Sequence, residues 1–92
     1  PVFINAAGDI TGVDGSAEER RLAFTLAGRR GIASYALLAP VPRPQTVEGA
    51  GEAAVDSAAL TRAESGWLYS PDLGGVVIKH SGKGSVQISL RW

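Results

Sequence analysis

The chain has 92 residues, nine Lys and Arg against nine Asp and Glu, a single His, and neither cysteine nor methionine. That length holds one core, since domains run about 100–150 residues. Balanced charge removes the broad basic footprint of a nucleic-acid binder, and zero cysteines exclude a disulfide scaffold, a thiol nucleophile and a zinc–thiolate site.

No apolar run approaches the ~20 residues of a membrane helix, and no signal-peptide pattern is visible. Twelve glycines and five prolines cut the chain into short apolar stretches, which predicts strands in place of long helices. In chain order, residues 2–4 (Val2, Phe3, Ile4) read as an edge strand. Residues 10–13 form a weaker strand, followed by a polar loop over 14–20. Residues 21–27 alternate, with Leu22, Phe24 and Leu26 on one face, as a half-buried strand requires. The turn 28–31, Gly-Arg-Arg-Gly, then predicts a hairpin whose second arm covers residues 32–39. Pro40, Pro42 and Pro44 lack ladder donors, so 40–44 is an extended crossover, and 46–48 resume a short strand.

Residues 51–66 admit two readings. Their alanines, Leu60 and Arg62 favour a short helix near 56–64, capped by Asp56 or Ser57, while so short a helix is marginal alone and an irregular strand competes. Residues 67–69 (Trp67, Leu68, Tyr69) form an aromatic strand, and Pro71 with Asp72 sets a turn. The β-branched run 76–78 is a strand, 81–84 a hairpin loop, and 85–92 the last strand, with Val86, Ile88, Leu90 and Trp92 on one face. The last three strands predict a meander covered by a layer from the N-terminal half. The expected fold is all-β, an antiparallel β-sandwich of about 7–8 short strands, with residues 1–92 forming one domain.

Candidate chemistry is sparse. His80 cannot complete a triad or a histidine metal cluster alone, and reads as a strand-end histidine facing solvent. The carboxylates Asp9, Asp14, Glu18, Glu19, Glu48 and Glu52 lie in polar loops or flank strands and turns, without the apolar setting that prepares an acid catalyst. Asp9, Asp14 and Glu19 lack the dense spacing of a calcium loop. Residues 82–85, Gly-Lys-Gly-Ser, lead into a strand and not into the helix a phosphate loop feeds. Arg29 and Arg30 with Arg20 and Arg21 make a basic edge that Glu18 and Glu19 partly neutralise. Trp67 and Tyr69, two residues apart, share a strand face and form the pair a sugar-stacking platform needs; the competing reading packs them into the core. Trp92 reads as a plug at the core edge.

Residues 65–72 (Ser-Gly-Trp-Leu-Tyr-Ser-Pro-Asp), the strand 75–79, the glycine turn and residues 86–90 resemble the ending of large glycoside hydrolases. In enzymes of the family 31 α-glucosidase and α-xylosidase type, a C-terminal β-sandwich often closes on such a rhythm. Residues 21–28, a second strand and the proline crossover into residues 46–49 are similar to earlier parts of that domain. Ser70 stands where an acidic residue is usual, and no asparagine precedes Gly49. The resemblance implies a non-catalytic accessory domain whose partner is the catalytic domain of the same polypeptide. It carries over no catalytic residue, metal or cofactor.

Three functions follow as expectations. The first is that accessory sandwich, excised from a longer chain, as a start without methionine suggests. The second is an autonomous carbohydrate-binding module using Trp67 and Tyr69, with glycan as partner. The third is a small stand-alone enzyme or inhibitor, disfavoured by the lone imidazole. Nucleic acid and membrane are not expected partners. The arginine- and alanine-rich usage hints at a high-GC bacterial source, and compartment is not legible.

Overall fold

A computed structural model of the chain describes residues 3–7, 9–16, 19–28, 33–81 and 84–92. Eight strands and one short helix follow one another: β1 (Phe3–Ala7), β2 (Asp9–Ser16), β3 (Arg21–Gly28), β4 (Ala33–Ala39), β5 (Thr46–Glu48), α1 (Ser57–Arg62), β6 (Ser65–Ser70), β7 (Gly75–Ser81) and β8 (Gly84–Arg91). They make two four-stranded sheets, the first ordered β1-β4-β7-β6 and the second β2-β3-β8-β5, with every pairing antiparallel. The all-β sandwich is therefore observed, and the ambiguous stretch supplies its one short helix.

The core lies between the sheets. Leu22, Phe24 and Leu26 of β3 and Ile88 and Leu90 of β8 meet Ala36 and Leu38 of β4 and Val76 and Ile78 of β7 in one buried cluster. Alternation explains each choice, because a period of two sends every second side chain inward. Each buried Leu, Ile or Phe contributes about 1.5–3 kcal/mol relative to exposure.

Strand pairing differs from the sequence reading in two places. β3 and β4 are not a hairpin: β3 pairs with β2 and β8, while β4 pairs with β1 and β7 in the other sheet. The C-terminal strands are not a three-stranded meander either, for β6 pairs with β7 but β8 belongs to the second sheet. At both glycine-rich segments the chain passes from one layer to the other. Alternation fixes which side chains face the core, but it says nothing about which strand lies alongside. In the consecutive pairs β1–β2, β3–β4 and β7–β8 one strand therefore belongs to each sheet. Val2, Ile32 and the centres of the turns 28–31 and 81–84 lie outside the described residues.

Local chemistry fits the remaining elements. β2 is longer than expected, running into the segment read as a loop, and its register shifts between Thr11 and Asp14. Gly15 there has φ of 97°, and a methyl group on it would lie 2.5 Å from the Arg21 carbonyl oxygen. The proline crossover is bonded at both ends, Val41 N–H donating to the Gly74 carbonyl at 2.9 Å and Gln45 N–H to that of Arg91 at 2.7 Å. Its Ala39–Pro40 bond is cis. Helix α1 starts at Asp56, whose carboxylate accepts from the Ala59 N–H at 2.8 Å, an N-cap. The Pro71–Asp72 turn closes with Gly74 N–H donating to the Pro71 carbonyl at 3.2 Å.

Candidate functional site

The two outer faces of the sandwich differ in chemistry. On the second sheet, Thr25, Ser85, Gln87, Ser89 and Arg91 point away from the core beside Ala23 and Ala27, a mostly polar surface on a sheet whose β2 also exposes Val13. On the first sheet, β4 buries its even-numbered residues, which leaves Tyr35 and Leu37 on the outer side. The register sets Tyr35 beside Lys79, Leu37 beside Val77, and Val77 beside Leu68. That outer face is apolar and only half-buried, with Lys79 as its single charge among these positions.

Helix α1 lies across part of it. Leu60 is the helix residue that is buried. It packs where β6 carries Gly66, and a methyl group on Gly66 would stand 3.3 Å from Leu60 Cδ1 and 2.9 Å from the Glu52 carbonyl oxygen. Glycine at 66 lets the helix and the preceding segment close on the strand. That segment also pairs with β6: Trp67 N–H donates to the Glu52 carbonyl at 3.2 Å and Ala54 N–H to that of Trp67 at 2.7 Å. The outer edge of β6 is thereby covered, which removes an exposed sheet edge.

Lys79 is 7% exposed. Its ammonium donates to the Thr61 carbonyl at 2.7 Å and lies 5.7 Å from the centre of the Tyr35 ring. Thr61 is in the last turn of α1, whose carbonyls have no partner within the helix, so the lysine caps the helix from beneath. The cation–π distance is within range of a favourable interaction.

Between α1 and this face is a pocket of about 170 Å³. Its walls are Leu60, Leu68, Leu73 and Val77, and Tyr35, Ser57, Thr61 and Ser70 complete the lining. Leu73 is 56% exposed and stands at the pocket, and Val55, 89% exposed, lines a separate groove of about 500 Å³ on the other flank of α1, with Glu52, Ala59 and Ala63. The sequence reading placed several of these residues in a helix or a strand and assigned none of them a functional role. Lys79 falls on a polar position of a β-strand and looks solvent-facing until a helix is known to lie over it.

Trp67 and Tyr69 do share a face, and it is the inner one. They sit opposite Ile78 and Val76 and pack, partly buried, against the core cluster. Trp92 packs there too, and its indole N–H donates to the Pro42 carbonyl at 2.6 Å, so it is tied to the core edge. His80 is half-buried, with Nε2 3.3 Å from the Gly84 carbonyl oxygen across the segment joining β7 to β8. Asp14 and Glu19 both reach Arg21, at 3.4 and 3.1 Å. Glu48 and Glu52 are exposed. Among the described residues no group of three or more His, Asp or Glu could hold a metal ion, and no helix is long and apolar enough to cross a membrane. Glu18, Arg29, Arg30, Gly82 and Lys83, and the side chain of Asp9, lie outside what the structure describes. No protein-family model matches the chain, and neither a curated protein nor a solved structure matches it.

Proposed function

We propose that this chain is a non-catalytic accessory β-sandwich of a carbohydrate-active enzyme and works by packing the outer face of its first sheet against the catalytic domain of the same polypeptide. The observation that carries the reading is the unlike chemistry of the two outer faces. One is the mostly polar surface a sheet shows to water, and the other holds Tyr35, Leu37, Leu68 and Val77 with the exposed Leu73 beside them. Apolar surface of that kind marks interaction sites when it is contiguous. The carbohydrate part of the reading rests on the strand-and-turn resemblance alone. A binding module using Trp67 and Tyr69 has less support, because stacking needs outward rings and these two lean on the core.

The test is thermal unfolding of the complete gene product beside the isolated sandwich. Leu37→Asp is expected to uncouple the melting of the sandwich from the rest of the complete protein, while shifting the isolated chain little. Absence of any second domain, or melting that Leu37→Asp leaves unchanged, would overturn the proposal.

A further inference from the structure

Each sheet of the sandwich ends in two edge strands, and β6, β5 and β2 are each closed or guarded. The segment before α1 pairs along β6 through Trp67. β5 is three residues long, with Pro44 shortly before it and Gly49, at φ of 86°, directly after. β2 shifts register between Thr11 and Asp14, carries Gly12 at φ of 63° and Gly15 at φ of 97°, and exposes Asp14. Short edges, proline, bulges and charge are the devices that keep an edge strand from pairing with another chain.

β1 has none of them. It terminates the first sheet, and among the described residues nothing pairs with its other side. Its five residues, Phe-Ile-Asn-Ala-Ala, hold no charge and no proline. They run in unbroken register from Phe3 opposite Ala39 to Ala7 opposite Tyr35. In an antiparallel ladder alternate residues turn N–H and C=O toward one neighbour, and those between turn theirs to the other side. β1 therefore shows a regular row of unpaired donors and acceptors, which an extended backbone satisfies.

Symmetry says which backbone. A two-fold axis through Asn5 pairs every position of the strand, with Phe3 of one copy opposite Ala7 of the other and Asn5 opposite itself. Whichever alternate set of groups faces outward, it closes on its own copy. Like charges directly opposite one another destabilise such a pair, and this strand has none to oppose.

We infer that β1 is a self-association edge, at which two copies of this chain pair antiparallel about Asn5 and join their first sheets in the order β6-β7-β4-β1-β1-β4-β7-β6. The contact lies at the side of the sheet and not on its outer face, so it goes beyond the docking reading above and does not depend on it. A strand of this length spans about 17 Å, which places the contact among small, weak interfaces with a dissociation constant of about 0.1–1 mM.

Sedimentation equilibrium of the chain up to about 2 mM should show a reversible dimer. Asn5→Lys sets two ammoniums opposite each other, at a position beside Leu37 on the outer side of the sheet, and should raise the dissociation constant about threefold or more. The chain has no cysteine, so Asn5→Cys supplies a single thiol with its counterpart directly across the axis. With oxidised glutathione present it should form the intermolecular disulfide severalfold faster than Val13→Cys, whose position on the guarded β2 edge is 54% exposed, and lose that advantage in urea. A chain that stays monomeric at that concentration would overturn the inference. So would a dimer that Asn5→Lys leaves unchanged in a chain that melts normally, or an Asn5→Cys chain that cross-links no faster than Val13→Cys.

Discussion

The ammonium of Lys79 donates to the carbonyl of Thr61 at 2.7 Å, which joins an inner strand of the first sheet to the last turn of the helix lying on it. Burying an ammonium is costly, and its hydrogen bond and the Tyr35 ring offset that cost. Lys79→Met, which keeps the stem and removes the charge, is therefore expected to change global stability by less than about 1 kcal/mol. Its effect should be local. Hydrogen exchange at the Leu60 and Ala63 amides should speed up while β3 and β8 stay protected. Unchanged protection in α1 would show that the lysine does not hold the helix.

Gly74 and Gly75 are neighbours with different reasons for being glycine. Gly74 has φ of 67° with nothing within 4 Å of where a methyl would sit, so Gly74→Ala costs only backbone strain, about 1 kcal/mol. At Gly75 a methyl would collide with the Leu38 carbonyl oxygen, so β4 and β7 must part. Gly75→Ala is expected to cost more than about 3 kcal/mol, in the range reserved for overpacking and broken backbone contacts. Urea unfolding of both variants decides it, and a larger loss at Gly74 would contradict the argument.

Trp92 is held twice, its backbone N–H donating to the Arg20 carbonyl at 3.0 Å and its indole N–H to that of Pro42 at 2.6 Å. Trp92→Phe keeps an aromatic body at the core edge and deletes the second bond. The expected loss is about 1 kcal/mol, seen as a lower denaturant midpoint with an unchanged slope. A midpoint equal to that of the parent chain would mean the indole bond contributes nothing.

Much of the strand pattern was legible because alternation is strong. Leu22, Phe24 and Leu26, and Val86, Ile88 and Leu90, declare their faces in sequence, and the Pro71–Asp72 turn declares itself by chemistry. Partnership was not legible. Gly28 and Gly84 look like hairpin residues, yet they pair with each other across β3 and β8 at the point where both strands leave the second sheet. The α1 face was hidden for another reason. The helix itself was one of two readings of residues 51–66, with Asp56 among its caps, but nothing in the sequence says which sheet face it lies on, and only once it is seated do Lys79, Leu60 and Gly66 acquire related roles. Trp67 and Tyr69 were correctly set on one face, but period two cannot say whether that face meets water or core.

Because β1–β2, β3–β4 and β7–β8 each serve both layers, neither sheet can be peeled away while the other stays intact. Losing the pairing of β3 with β8 drags on β4 and β7, the strands that follow β3 and precede β8 in the chain and pair with each other in the first sheet. Unfolding should therefore be a single cooperative event for the core. Helix α1 and the segment before it lie outside those strand pairs and are held by few links, Lys79 to Thr61, Leu60 and two backbone bonds to Trp67, so opening there would uncover the apolar face while the paired strands stay together.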